Sequence, residues 1–149
     1  MSVIWGILQK DGKPVSGGLK ECVIKRLGIY KVDNTDVWEK GNIHFGCGIQ
    51  YITPESLHEV LPYYDENKGL AITADAIIDN RKELFYLLGI KGEYQKRITD
   101  SELILLAYEK WGAECPRYLV GDFSFAIWDE KKEELLCARD HVGKRTFYY

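Results

Sequence analysis

The sequence predicts an α+β fold built on antiparallel sheets, and three features point to it. Strand-like segments fill the first half of the chain and its end, two well-capped helices stand between them, and the connections are too short for the crossovers of a parallel sheet. Val3 to Leu8 is a short apolar run read as a buried strand, with Gly6 allowing another element to come close, and Asp11-Gly12-Lys13-Pro14 turns the chain. Gly18 to Leu27 has apolar residues at Leu19, Cys22, Val23 and Leu27, a helical spacing, with Gly28 placed to end it. Four strand-like pieces follow, Asp36 to Glu39, Ile43 to Ile52, Val60 to Tyr64 and Leu70 to Ile78, divided by Gly, Pro and Asn turns. Asp79 opens a helix through Leu88 that Gly89 closes. Thr99-Asp100-Ser101-Glu102 forms a capping box for a second helix to Trp111, stopped at Gly112. The last hairpin, Val120 to Asp129 and Glu134 to Arg139, alternates Phe123, Phe125 and Ile127 with Asp122, Ser124 and Ala126 and turns through Glu130-Lys131-Lys132-Glu133.

Composition narrows the function. A chain of 149 residues, 46% hydrophobic, fits one compact domain with a real core. A net charge of −3 with scattered lysines and arginines argues against nucleic acid or an anionic membrane as partner. The longest apolar stretches, such as Leu103 to Tyr108, are far short of a membrane span, and the first five residues lack the charged start of a signal peptide, so a cytoplasmic location is expected. Cys22, Cys47, Cys115 and Cys137 lie far apart and read as buried thiols, not disulfide or metal ligands. His44, His58 and His141 have no metal-ligand spacing, so no metal and no cofactor are expected in this domain.

The segment Gly121 to Tyr149 (GDFSFAIWDEKKEELLCARDHVGKRTFYY) resembles the end of the glutamine amidotransferase domain of asparagine synthetases. The resemblance extends to the amino-terminal Ile-x-Gly-Ile strand, the Gly46 strand, the Asp79-Asn80-Arg81-Lys82-Glu83-Leu84 helix start and the Thr99-Asp100-Ser101-Glu102 helix. It implies the four-layer αββα sandwich of N-terminal-nucleophile hydrolases. It also implies that an ATP-using synthetase domain, absent from this chain and bringing ATP and Mg, is the expected partner, either in the same parent chain or as a separate subunit; a homodimer stays open.

Working members of that family carry a cysteine after the initiator Met. Its thiolate attacks the glutamine amide and its freed α-amino group serves as base. Here Ser2 stands at that position, and an alcohol is several pKa units further from such a base than a thiol. The family's Asn-Gly-Glu, whose Asn side chain and Gly N–H form the oxyanion hole, aligns on Asp75-Ala76-Ile77, replacing a donor with an acceptor. The arginine that grips the substrate α-carboxylate has no counterpart, since no Arg or Lys lies between Asn42 and Asn67. Asp100 matches the aspartate that binds the substrate ammonium, although an acidic residue at a helix start needs no substrate to explain it. Arg139, Asp140, Lys144 and Arg145 fall where the family joins the synthetase domain, so interface residues are expected there.

Ser16-Gly17-Gly18 looks like a pyrophosphate loop but lacks the preceding buried strand. The pattern of Asp75-Ala76 before Asp79-Asn80-Arg81, with a non-cysteine start, resembles β-lactam synthetases and lasso-peptide cyclases, and more the latter. Both imply a glutaminase-inactive scaffold half of an amide-forming ligase. A glutamine-hydrolysing domain using Ser2 and a freestanding binding module are the alternatives.

Overall fold

The structure is a computed structural model that describes all residues from Met1 to Tyr149. It contains β1 (Val3–Leu8), α1 (Gly17–Leu27), β2 (Asn34–Lys40), β3 (Ile43–Ile49), β4 (Tyr63–Asp65), β5 (Leu70–Ile78), α2 (Arg81–Leu88), α3 (Asp100–Trp111), β6 (Gly121–Asp129) and β7 (Glu134–Arg139). Three single 3₁₀ stretches, Glu55–His58, Gly92–Lys96 and Gly112–Tyr118, complete the connections.

The strands form two antiparallel sheets, one ordered β1-β3-β2 and the other β4-β5-β6-β7. Alternation along each strand decides which side chains face which layer. From β5 and β6, Ile72, Phe123, Phe125 and Ile127 pack with Leu84 of α2 and Leu103, Ile104 and Ala107 of α3 in one buried cluster. Ile43 and Phe45 of β3 meet Ala71, Ala126 and Trp128 of the second sheet, where small alanines allow close approach. The Thr73 hydroxyl donates across this seam to the Gly46 carbonyl at 3.0 Å. The result is the four-layer αββα sandwich, with α2 and α3 packed on the four-stranded sheet and α1 tied to β2 of the three-stranded one through Lys20 and Glu39.

α3 carries its expected capping box: Thr99 Oγ1 accepts from the Glu102 N–H at 3.2 Å, and Glu102 Oε2 accepts from the Thr99 N–H at 2.8 Å. Such a cap contributes about 1 kcal/mol. It also fixes where the helix begins relative to the sheet beneath it.

Three expectations need correction. The strand expected to reach Ile52 ends at Ile49, because the Gln50 and Tyr51 N–H groups turn to Ser2 Oγ (3.0 Å) and Asp33 Oδ2 (2.9 Å). The strand expected from Val60 pairs only over Tyr63–Asp65, since Pro62 offers no N–H to a ladder. α1 forms as expected, but none of its residues is buried; Lys20 ties it to Glu39 of β2 at 2.6 Å. Two of the four cysteines, Cys22 and Cys137, are likewise exposed, whereas Cys47 and Cys115 are buried, and burial pushes both of those thiols up to about 12.

Candidate active site

A pocket opens where the amino-terminal end of β1 meets the ends of β3 and β5. Ser2, Gln50, Asp75, Ala76 and Ile77 line it, the Thr53–Glu59 connection walls one side, and Arg145 enters from the segment after β7. Its free volume of about 30 Å³ holds little more than a water molecule. The structure brings Ser2, Asp75 and Ala76 to this one pocket: β1 and β5 lie on either side of the inter-sheet seam, with their ends at the same rim.

Asp75 is the centre of the site. Its Oδ1 accepts the Ser2 backbone N–H at 3.2 Å, and its Oδ2 lies 3.1 Å from Arg145 Nη1. The residue is buried, and burial pushes its carboxyl up from the ordinary value while the Arg145 guanidinium and the Ser2 N–H pull it back. Ser2 Oγ accepts from the Gln50 N–H at 3.0 Å. The Met1 ammonium donates to the Gln50 side-chain carbonyl, and Gln50 Nε2 donates to the Lys31 carbonyl at 2.5 Å, so the amino-terminal end is anchored to the end of β3.

Asp100 stands outside this pocket. Its carboxylate is taken by the Arg81 guanidinium and by the Ile78 N–H at 3.3 Å, and Arg81 also donates to the Ile98 carbonyl at 2.6 Å. The second acidic group that lines the pocket, beside Asp75, is Glu59, which accepts the Ser101 N–H at 2.9 Å and the Ser101 hydroxyl at 3.1 Å. Burial, with a further push from the Asp100 charge, raises the Glu59 carboxyl to about 7 against the Ser101 hydrogen bonds that lower it. Sequence reasoning missed Glu59, because a glutamate in an irregular connection carries no local signal.

The four residues expected at an interface divide. Arg139 and Lys144 are exposed, and Lys144 reaches Asp122 at 2.5 Å. Asp140 and Arg145 are buried, which corrects their assignment to an interface. The Asp140 carboxylate accepts N–H groups from Val142 (3.1 Å), Lys144 (2.9 Å) and Arg145 (3.0 Å), folding the turn that aims Arg145 inward. The cation at this pocket thus comes from the other end of the chain and not from the β3 region. The Ser16-Gly17-Gly18 segment begins α1 after a turn and lies away from the pocket.

Sandwiched antiparallel sheets with the amino terminus at the pocket rim define an N-terminal-nucleophile hydrolase fold of the amidotransferase kind. A glutamine amidotransferase domain model matches residues 51–149, and the chain belongs to that class II family. It is 29% identical over 118 residues to asparagine synthetase [glutamine-hydrolyzing] 3 of Bacillus subtilis, covering 78% of this chain and 19% of that protein. It is 30% identical over 126 residues to a putative asparagine synthetase [glutamine-hydrolyzing] 2 of Methanocaldococcus jannaschii, covering 83% of this chain and 22% of that one. Amidase chry2 of Gibberella zeae matches at 28% over 119 residues, covering 75% of this chain and 17% of that one. The chain therefore spans about a fifth of the length of these relatives. Among solved structures, the glutamine phosphoribosylpyrophosphate amidotransferase of B. subtilis superposes with a TM-score of 0.49 at 21% identity, over 68% of this chain and 24% of that one.

Proposed function

We propose that this domain no longer hydrolyses glutamine and serves as the structural, partner-contacting half of an ATP-dependent amide-forming ligase. In a ligase of the lasso-peptide cyclase or β-lactam synthetase type, ATP and Mg activate a carboxylate in the synthetase domain and an amine of the substrate attacks it. Ammonia from glutamine is not needed.

The observation that carries the reading is the Asp75 carboxylate 3.2 Å from the Ser2 nitrogen. Removal of Met1 would make that nitrogen an α-ammonium, and a carboxylate at this distance favours the charged form. A protonated amine is no base for the Ser2 hydroxyl. The same carboxylate sits where the family's oxyanion donor aligns and offers acceptor oxygens, and loss of one such donor alone costs about 3 to 4 kcal/mol in the transition state. Both halves of the catalytic device are opposed by one residue.

The alternative, glutamine hydrolysis through Ser2, draws on the names of the two asparagine synthetases above. Incubating protein with a mature Ser2 terminus, checked by mass, with glutamine and measuring glutamate separates the two readings. Background-level release supports the scaffold; sustained turnover overturns it.

A further inference from the structure

The pocket that Ser2, Asp75 and Glu59 share is not simply vacated. Two carboxylates line it together with Gln50, Thr53 and Ser56, and Arg145 is the one cation among the lining residues. Neighbouring side chains on the same turn go opposite ways: Lys144 points out to Asp122, whereas Arg145 is buried against Asp75. Sorting of this kind follows from chemistry, because a planar, weakly hydrated guanidinium enters a partly desolvated carboxylate site at lower cost than an ammonium. Gly143, with φ of 68°, and the Asp140 carboxylate make the turn that delivers it. One further detail distinguishes an occupant from a built-in wall. Arg145 Nε is buried without a hydrogen-bond partner, so the tethered side chain meets Asp75 through one Nη and leaves a donor idle.

We infer that this pocket is a guanidinium-binding site whose resident occupant is Arg145, and that a free alkylguanidinium or another arginine side chain can take the same place on Asp75 when Arg145 is absent. An untethered guanidinium can rotate to present two parallel N–H groups to the carboxylate, a geometry Arg145 does not adopt here. The site concerns the pocket discussed above but does not depend on the loss of glutamine hydrolysis.

The test is chemical rescue. Arg145→Ala leaves Asp75 buried and uncompensated, which lowers the thermal midpoint by on the order of 10 °C. Ethylguanidinium chloride at tens of millimolar, compared with equal sodium chloride and ethylammonium chloride, should raise the midpoint of Arg145→Ala by several degrees. It should leave the wild type and the Asp75→Asn/Arg145→Ala double variant unmoved. Equal shifts in all three proteins, or none in Arg145→Ala, overturn the inference. Should Arg145→Ala fail to fold, the double variant decides, because removing the second charge must then restore folding; a double variant no more stable than the single one overturns the inference as well. Glutamate release bears only on the loss of hydrolysis and guanidinium rescue only on the occupant, so the two readings can fail separately.

Discussion

Replacing Glu59 by Gln should stabilise the domain above neutral pH and do nothing for it in mild acid. The carboxyl is half-buried in the pocket wall, and desolvation lifts it from an ordinary 4.5 to about 7 despite the Ser101 N–H and hydroxyl that favour its charged form. For an acid raised in this way, the folded chain keeps a proton that the unfolded chain has already released. Stability contributed by the protonated form is therefore full below about 4.5 and falls as pH climbs from there to about 7, after which it is flat. Converting the whole gap at 1.36 kcal/mol per unit gives about 3 kcal/mol; Glu59 is only partly enclosed, so about half of that, roughly 1.5 kcal/mol, is the expected loss. Gln keeps an acceptor for the Ser101 N–H and carries no charge. Urea unfolding followed by tryptophan fluorescence at pH 5 and pH 8 reads the difference directly from the midpoint at constant slope. The wild type should lose stability between the two pH values, and Glu59→Gln should lose less and exceed it at pH 8. Parallel behaviour of the two proteins, or a Gln variant that is weaker at pH 8, would refute the assignment of the shift to burial at this site.

Asp140 should behave with the opposite sign. Burial raises its carboxyl, but backbone N–H groups led by those of Arg145 and Lys144 lower it more, to about 2 from 3.8, so its contribution is full above about 3.8 and disappears as pH falls through about 2. Asp140→Asn should cost about 2 kcal/mol at pH 7, and the gap to wild type should close near pH 2; a constant gap in acid unfolding would contradict this. Gly121 stands at φ of 146°, and an added Cβ would strike the Ile77 carbonyl oxygen on β5. Gly121→Ala should therefore cost several kcal/mol and register as a lowered thermal midpoint, whereas an unchanged midpoint would show that β6 can shift away from β5.

The sequence was most informative where one local rule acts alone. The Thr99 to Glu102 cap, the Leu70 to Ile78 strand and the final hairpin lie at or within a residue of their expected places, since a capping box and two-residue alternation are short-range signals. Long-range competition hid the rest. Gln50 and Tyr51 look like strand residues, but acceptors on Ser2 and Asp33 draw their N–H groups away. In the site, Ser2, Asp75 and Ala76 were legible because the family motifs mark them. Arg145 was visible only as a charged residue near the end, because its partner lies seventy positions upstream and a turn held by Asp140 decides its direction. Asp100 looked like a pocket residue because nothing in the order of residues reveals that Arg81 takes its carboxylate.

The central claim, that the Asp75 carboxylate opposes both the base and the oxyanion position, is tested most directly by restoring the nucleophile alone. Ser2→Cys, with Met1 removal checked by mass, is incubated with glutamine beside Ser2→Cys/Asp75→Asn, and glutamate is measured over time. The account predicts background-level release from Ser2→Cys, because the amine remains paired with Asp75 at the position now 3.2 Å away. Sustained glutamate production by Ser2→Cys with Asp75 intact would contradict it.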